Sequence, residues 1–286
     1  MHLPGLAVRV GCAWEKMETT VGTSLWNDWW NAELYDQYVR EYPIYRRLNH
    51  HLVELSEPAT ARRVLDLACG SGATARACLA RLSGEATLVG VDASAVMVEV
   101  ARARVRDPRA HFEVVPAAAL PEVVSGPFDR AVCNAAFWHF AAPGEVLAHL
   151  GRLLEPGALL VFNVPAERVI GEPSEPHPFQ AALARAIELR TDRVFFSVPT
   201  LLDPALLDAW LDEAGFELLP TLRLVCTPRQ AELIELMKIP AMIASLAPEL
   251  SPEARQEVVE LAGRRSEPYE TVVVPWIYFR ARRRGG

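Results

Sequence analysis

Features that would assign the chain to a membrane or to a secretory pathway are missing from its sequence. No apolar run approaches the roughly 20 residues that a membrane-spanning helix needs. Residues 1–16 have Pro4 and charged side chains where a signal peptide has its apolar core, and no small-residue cleavage site follows. We therefore expect a cytoplasmic protein with no membrane partner.

Cysteine is scarce as well, with five residues in a chain of 286. The number is odd, and no two cysteines have the spacing of metal ligands. The histidines offer no ligand set either, because the adjacent His50 and His51 would diverge by about 100° on a helix. The expected state is reduced thiols in a reducing compartment, with no metal site.

A basic excess is also lacking. The formal net charge is -7, whereas a nucleic-acid binder needs a basic stripe. The cluster of Arg280, Arg282, Arg283 and Arg284 is assigned to a solvated chain terminus. We therefore expect no nucleic-acid partner, and the oligomeric state stays open.

What the sequence does contain is an alternation of short apolar strands with helices. That order is typical of a parallel sheet with helices on both faces. The predicted strands cover residues 63–67, 87–91, 111–115, 128–133 and 158–164, and two later strands cover 216–226 and 271–280.

Helical segments outside this alternation predict a cap. Residues 24–55 form two amphipathic helices interrupted at Pro43, and residues 228–264 are too long an insertion for a hairpin loop. The predicted organisation is an N-terminal extension over residues 1–23, cap helices over 24–60, and a main domain over 61–286 with cap insertions at about 166–200 and 228–264.

The turn after the first strand has the composition of a ligand-binding loop. It runs Val64-Leu-Asp-Leu-Ala-Cys-Gly-Ser-Gly-Ala-Thr74. Gly70 and Gly72 let a ligand approach the backbone closely and adopt φ values that other residues resist. Asp92 ends the second strand, where a carboxylate can accept hydrogen bonds from both hydroxyls of a ribose.

Two kinds of cofactor fit these features. Gly70-Ser-Gly72-Ala-Thr-Ala75 matches the dinucleotide pattern G-x-G-x-x-A. Asp66 favours instead a cofactor with a positive charge, because a carboxylate at the end of the first strand repels phosphates and attracts an ammonium or sulfonium group.

With these residues the chain resembles the class I S-adenosylmethionine-dependent methyltransferase superfamily, in particular its small-molecule branch near the ubiquinone-biosynthesis methyltransferases. The resemblance implies an α/β, Rossmann-like sheet of seven strands, mainly parallel with an antiparallel last strand, between helices on both faces and a helical cap. It covers roughly residues 30–286. The matching segments are Val64-Leu-Asp-Leu-Ala-Cys-Gly-Ser-Gly72, Val89-Gly-Val-Asp-Ala-Ser94, Phe128-Asp-Arg-Ala-Val-Cys-Asn134, Leu153-Leu-Glu-Pro-Gly-Ala-Leu-Leu160 and Asp212-Glu-Ala-Gly-Phe216.

The resemblance also implies a set of cofactor contacts. Two positions depart from the family pattern: Ala68 stands where many members have glycine, and Pro116 where many have an aspartate that binds the adenine amine. The implied contacts are Tyr35 as an aromatic lid, Asp66, Ala68, Gly70 and Gly72 around the methionine portion, Asp92 at the ribose, Ala93, Met97, Ala117 and Ala118 at the adenine, and the carbonyl of Asn134 at the ammonium group.

The segment after the fourth strand supplies the candidates for chemistry. His139 is the best-placed general base, which is needed only if the acceptor keeps a proton of high pKa; alternatively it caps the next helix or touches the cofactor. Phe137 and Trp138 are predicted to bind substrate near the sulfonium, and the alternative is core packing. Asn134-Ala-Ala-Phe137 also resembles the N-P-P-Y motif of enzymes that methylate nucleic-acid bases, but both prolines are absent.

The sequence therefore predicts an enzyme that transfers the methyl group of S-adenosylmethionine to a small apolar or aromatic acceptor by O-, N- or C-methylation, in secondary metabolism. Two alternatives stay open: a cofactor kept as a scaffold for a non-methylating reaction such as cyclisation, and an NAD(P)-dependent oxidoreductase. The apolar preference rests on aromatic and methionine residues of the predicted cap, namely Trp26, Trp29, Trp30, Phe179, Phe195, Phe196, Met237 and Met242.

Overall fold

The computed structural model describes residues 25–173, 175–191 and 201–285. The predicted extension over residues 1–23, together with Cys12, Phe195 and Phe196, lies outside these ranges. Within them the chain forms one mixed sheet with helices on both faces.

The sheet follows the predicted Rossmann-like path. Its strands are β1 (Arg63–Leu67), β2 (Thr87–Asp92), β3 (Ala110–Val114), β4 (Phe128–Cys133), β5 (Leu154–Pro165), β6 (Phe216–Leu218), β7 (Leu222–Cys226) and β8 (Val274–Arg283). They run in the order β3-β2-β1-β4-β5-β8-β6, and β7 pairs with β8 beside β6. β1 to β5 pair in parallel, whereas β8 is antiparallel to its neighbours. The predicted Rossmann-like sheet, mainly parallel with an antiparallel last strand, is confirmed.

The predicted strand over residues 216–226 is wrong in one respect, because it is broken into β6 and β7. Pro220 lies in the break, and a proline has no N–H to donate to a sheet ladder. The last strand also begins later than predicted, at Val274. Thr271 makes only an isolated bridge with Arg229.

Several helices start at a proline, whose missing N–H costs no hydrogen bond in the first turn. Pro43 accordingly opens a new helix one residue after Tyr42, as predicted. The helices are α1 (Trp29–Glu41), α2 (Pro43–Leu55), α3 (Ala73–Leu79), α4 (Ala95–Arg104), α5 (Leu120–Val123), α6 (Pro143–Leu153), α7 (Pro178–Thr191), α8 (Pro204–Glu213), α9 (Gln230–Met237), α10 (Pro240–Leu246) and α11 (Pro252–Arg264).

The core lies on both faces of the sheet. Residues of β1 alternate between the two faces, so Val64 packs in the cluster that includes α2 and α3, and Leu65 and Leu67 pack in the cluster that includes α6 and α8. Asp66 falls on the same face as Val64. An ionisable side chain is therefore buried under the helices that follow and precede β1.

Polar contacts fix the two N-terminal helices over the turn after β1. The buried carboxylate of Asp36 on α1 accepts a hydrogen bond from Arg104 Nε on α4 at 2.8 Å. Thr74 Oγ1 on α3 donates to Asn49 Oδ1 on α2 at 2.6 Å. These helices therefore form one wall of the space above the carboxyl ends of the strands.

Helices α9 to α11 lie on the same side of the sheet as α1 and α2. Helix α11 packs along α7, and Ala241 N on α10 donates to Asn31 Oδ1 on α1 at 2.8 Å. The position of these helices is compatible with the predicted cap. The division of the chain into extension, cap and main domain remains a prediction.

Two further sequence expectations concern membrane spans and thiols. In the part of the chain that the structure describes, no helix combines the length and the apolar composition needed to cross a bilayer. The cysteines in that part, Cys69, Cys78, Cys133 and Cys226, are buried and unpaired, as predicted. Burial raises the pKa of each of these thiols, which disfavours the reactive thiolate.

Candidate functional site

The predicted cofactor residues meet at the carboxyl edge of the parallel strands. The turn from Ala68 to Gly72 leaves β1 at this edge, and Cys69 N donates to Val91 O at 2.9 Å, which ties the turn to β2. In open parallel sheets, ligands bind outside the carboxyl ends of the strands where the strand order reverses, here between β1 and β4.

The backbone of the turn explains its small residues. Gly70 and Gly72 are left-handed, with φ of 51° and 81°. A Cβ at Gly72 would lie 2.7 Å from Val105 Cγ2, whereas one at Gly70 would meet Tyr35 Cε1 at 3.7 Å. Packing therefore accounts for Gly72, and Gly70 borders the open side. Ala68 is also left-handed, with φ of 55°, a conformation that costs roughly 1 kcal/mol in a residue with a Cβ.

The carboxylate of Asp92 joins the turn to the tip of β2. Its Oδ2 accepts from Gly70 N at 2.9 Å and its Oδ1 accepts from Ser94 N at 2.9 Å. Burial raises the pKa of Asp92, and the N–H donors of Ser94 and Gly70 lower it by less. Each carboxylate oxygen can accept a further hydrogen bond, so the predicted ribose contact is compatible with this geometry.

Asp66 is a buried carboxylate that finds no hydrogen-bond partner among the described residues. It is fully buried, and neither carboxylate oxygen has a hydrogen-bond partner within residues 25–173, 175–191 and 201–285. Burial raises the pKa of Asp66 well above its usual range, and the Asp92 carboxylate raises it further. The Ala75 N–H lowers this pKa somewhat, although its geometry falls short of a hydrogen bond. An isolated buried carboxylate is costly, so this position favours a ligand that brings a positive charge.

A small cavity lies between the turn and the N-terminal helices. Its volume is about 30 Å³, which is room for roughly one water molecule. The Ser71 hydroxyl beside it is buried and has no hydrogen-bond partner. This cavity alone is too small for a ligand of cofactor size. The lining residues are Tyr35, Val39, Tyr45, Asn49, Ala68, Cys69, Gly70, Ser71, Ala73, Thr74 and Asn134.

Asn134 is oriented by a second asparagine. Asn163 Nδ2 donates to Asn134 Oδ1 at 2.8 Å, and Asn163 Oδ1 accepts from Ala135 N at 2.6 Å. Asn163 lies in β5 and is fully buried. The pair fixes the bend after β4, where the backbone carbonyl of Asn134 is predicted to meet an ammonium group.

The residues predicted to flank an adenine follow β2 and β3, which are neighbours in the sheet. Ser94 caps α4, and its hydroxyl accepts from Met97 N at 3.0 Å. The Met97 side chain is buried against Trp26 and Tyr35. Ala93 follows Asp92 directly. Ala117 and Ala118 lie in a 3₁₀ turn after β3, so the structure brings the group to one edge, and its contacts stay predicted.

The three residues 137–139 form a 3₁₀ turn after β4 and have different surroundings. Phe137 is buried and stacks on Phe162 with ring centroids 4.0 Å apart. Its place is the core, so the substrate contact predicted for it is not supported by its position. Trp138 is half-buried and lies 5.2 Å from the ring of His139.

His139 lies in a crowded part of this edge. Surrounding protein atoms lower the pKa of His139 to about 4, and the neighbouring Arg168 cation contributes to the shift. The residue still has an exposed surface, and its lowered pKa leaves the imidazole neutral near pH 7. A neutral imidazole is the form that can accept a proton.

A comparison with known families agrees with this geometry. A profile described as a methyltransferase domain matches residues 64–157, which include β1, the turn, Asp92 and the β4 edge. Residues 64–157 therefore carry a methyltransferase domain of the class I, S-adenosylmethionine-dependent kind. The matched domain is one that binds S-adenosylmethionine, which favours that cofactor over NAD(P).

Known methyltransferases resemble parts of the chain. It is 36% identical to a trans-aconitate 2-methyltransferase of Methylobacterium nodulans over 174 residues, covering 57% of this chain and 59% of the relative. It is 31% identical to a ubiquinone biosynthesis O-methyltransferase of Thiobacillus denitrificans over 114 residues, covering 39% and 47%. The chain thus spans about half to three fifths of the length of these relatives.

Among solved structures, the chain resembles the [4+2]-cyclase SpnF in fold. The TM-score is 0.53 at 21% identity, and the match covers 84% of this chain and 81% of that one. At this identity the likeness shows the fold alone.

S-adenosylmethionine fits the chemistry of the turn from Ala68 to Gly72, called the methyltransferase turn below. It has a positively charged ammonium group and a sulfonium, and Asp66 is a buried carboxylate that lacks a partner. It also has a ribose, and Asp92 keeps acceptor capacity at the tip of β2. The residues that would hold it are therefore Asp66, Gly70, Asp92 and the Asn134 segment, with Tyr35 over the turn.

Several residues of this methyltransferase site were not found by sequence reasoning. Tyr45 and Asn49 line the cavity, Asn163 orients Asn134, and Arg168 and Trp276 lie beside Trp138. Asn163 had a recognisable signal, because it is a polar residue inside the apolar run of β5. Arg168 had a weaker one, as a charged residue just after a strand end.

Other parts of the described surface offer less to a reaction. An open depression of about 440 Å³ lies between α8 and β6 and is lined by residues such as Asp208, Asp212 and Arg284. It is remote in sequence from the methyltransferase turn. Within residues 25–173, 175–191 and 201–285, no three His, Cys, Asp or Glu side chains are grouped as metal ligands.

Proposed function

We propose that this protein is an enzyme that transfers the methyl group of S-adenosylmethionine to a small organic acceptor. The observation that carries the proposal is the buried, unpartnered carboxylate of Asp66 beneath a left-handed glycine turn at the carboxyl edge. Asp92 beside it is positioned to bind the ribose. The match of residues 64–157 to a methyltransferase domain supports the same function.

The residues of the chain bind, orient and exclude water. When bound, S-adenosylmethionine supplies an electrophilic methyl group: the acceptor's lone pair forms the new bond while the C–S bond breaks and leaves its electron pair on sulfur. The enzyme's main task is alignment, which can lower a barrier by roughly 7–11 kcal/mol. A neutral His139 can accept the proton that a hydroxyl acceptor loses.

The acceptor is proposed to be small and apolar or aromatic. Trp138 is half-buried beside His139. The ring centroids of Trp276 and Trp138 are 6.0 Å apart, so two indole rings line this part of the edge. Aromatic walls favour a flat, apolar ligand.

The test is equilibrium binding followed by turnover. S-adenosylmethionine and S-adenosylhomocysteine should bind in calorimetry, whereas NAD(P) should not. A panel of small aromatic acceptors should then yield S-adenosylhomocysteine together with a product heavier by one methylene. Binding of NADH with no affinity for S-adenosylhomocysteine would overturn the proposal.

The scaffold alternative has its own signature in the same experiment. A cyclising enzyme would bind the cofactor tightly and convert its substrate without releasing S-adenosylhomocysteine. Conversion with no mass gain, at a rate unaffected when S-adenosylhomocysteine replaces S-adenosylmethionine, would favour it over methyl transfer.

A further inference from the structure

A cation that forms no ion pair with another described residue lies at the carboxyl edge beside Trp138. Arg168 ends the 3₁₀ turn that follows β5, and its guanidinium lies over the Trp138 ring, 5.2 Å from the centroid. Among the described residues, its side chain makes no hydrogen bond and no ion pair within 4.0 Å. The adjacent Glu167 is engaged elsewhere, since it accepts from Gln180 Nε2 at 2.7 Å.

The main chain holds Arg168 in this place. Leu202 N donates to Arg168 O at 2.7 Å, and Ile170 N donates to Leu202 O at 3.0 Å. Surrounding protein lowers the pKa of Arg168, and the Glu167 carboxylate raises it. A guanidinium remains charged in proteins, so the site carries a fixed, half-buried positive charge.

A second donor beside Trp138 also lacks an acceptor. The indole N–H of Trp276 is buried and has no hydrogen-bond partner in the structure. Trp276 pairs with Pro165 at the end of β5, directly before the turn that carries Arg168. Two N–H donor groups therefore lie around one aromatic surface, and neither has a partner among the described residues.

Resting on the proposed function, we propose that Arg168 binds a carboxylate group of the acceptor, whose apolar part lies against Trp138. The fork of N–H groups on a guanidinium matches the two oxygens of a carboxylate. One arginine over the Trp138 indole ring suits a planar, singly charged group better than a phosphate dianion, which would call for more donors. The acceptor class is thus a small aromatic or unsaturated carboxylic acid.

Calorimetry on the protein saturated with S-adenosylhomocysteine tests this inference. The probes are benzoate, cinnamate and 4-hydroxycinnamate, each compared with its primary amide, and phenyl phosphate. We expect the wild-type protein to prefer at least one acid over its amide by about tenfold or more, as charge-assisted pairing predicts. In Arg168→Met this preference should disappear, and Arg168→Lys should restore part of it.

Arg63→Met is the matched control, because the Arg63 guanidinium also lies over an aromatic ring, that of Phe128 at 4.5 Å, but at the amino end of β1. It should keep the wild-type preference. Equal affinity for acids and amides, no binding of any acid, or tighter binding of phenyl phosphate would each overturn the inference from the wild-type protein alone. Failure of S-adenosylhomocysteine to bind would instead overturn the proposed function.

Discussion

The two edges of the parallel sheet treat their buried polar groups differently. At the amino edge, Asp129 accepts from the backbone N–H groups of Arg62 and Arg63 at 2.8 and 3.1 Å. Arg130 there donates to Ser56 O at 2.6 Å. At the carboxyl edge, both oxygens of Asp66 have no hydrogen-bond partner.

The difference separates residues that stabilise the fold from residues that await a ligand. A paired buried carboxylate such as Asp129 contributes net stability, whereas an unpaired one such as Asp66 lowers it. Violations of this kind are expected at functional sites, where a ligand supplies the missing partner. The carboxyl edge therefore gives up stability, and the amino edge helps to offset it.

The largest expected effect compares two left-handed glycines. Gly70→Val should nearly abolish S-adenosylhomocysteine binding, because a branched side chain would occupy the ligand's side of the turn. Gly157→Val is the control, since Gly157 has a φ of 83° with nothing within 4 Å of its would-be Cβ. Both variants share the backbone strain, so both should lose roughly 1–2 kcal/mol of stability. Normal affinity in a folded Gly70→Val protein would contradict the role of the turn.

His139 gives the next largest effect. With a hydroxyl acceptor, His139→Ala should lower turnover about 10²–10⁴-fold while leaving cofactor affinity nearly unchanged. The neutral ring is the active form, so the lowered pKa predicts a rate that stays level as the pH falls from alkaline values and drops only below the ordinary histidine range. The pH profile of initial rates checks this.

The control for that experiment is His111→Ala, because His111 is exposed near the start of β3 and pairs with Glu113. Its turnover should match the wild type. Near-wild-type turnover in both His139→Ala and His139→Gln would remove His139 from the catalytic residues and leave alignment as the whole mechanism.

Asp92→Ala should weaken S-adenosylhomocysteine binding by about 1–3 kcal/mol through the loss of hydrogen bonds to the ribose. It also removes the contacts to Gly70 N and Ser94 N, so the melting temperature should fall. Asp107→Ala serves as the control, since Asp107 pairs with Arg109 away from the turn. Unchanged affinity by calorimetry would sink the assignment of Asp92.

The smallest effect compares the two edges directly through Asp66→Asn and Asp129→Asn. Asp66→Asn should weaken S-adenosylhomocysteine binding by about tenfold and yet raise the stability of the ligand-free protein by roughly 1 kcal/mol. Asp129→Asn should lower stability by a similar amount and leave binding unchanged. Chemical denaturation measures the stability and calorimetry measures the binding. A change in stability of the same sign in the two variants would contradict the difference between the two edges.

The pH dependence of the wild-type protein's stability sharpens the comparison of Asp66 with Asp129. Because the pKa of Asp66 is raised, the folded protein keeps this proton to a higher pH than the unfolded chain does. The contribution of Asp66 to the free energy of unfolding is therefore lost as the pH rises from the ordinary carboxyl range through the raised pKa. Asp66→Asn should lack this decline.

The sequence by itself determined the strand alternation, the glycine turn, and the positions of Asp66 and Asp92 at strand ends. These follow from local periodicity and from the rule that parallel strands present their carboxyl ends at one edge. It also determined that Pro43 separates two helices, because proline cannot continue the first.

Only the tertiary structure decided which neighbours each side chain meets. Phe137 and Trp138 are adjacent in sequence, yet one stacks on Phe162 in the core and the other lies under Arg168. Arg168 and Trp276 both lie beside Trp138, because β8 returns antiparallel to β5 after a long excursion of the chain. Local sequence carries no record of such pairings, since they depend on how distant strands and helices pack.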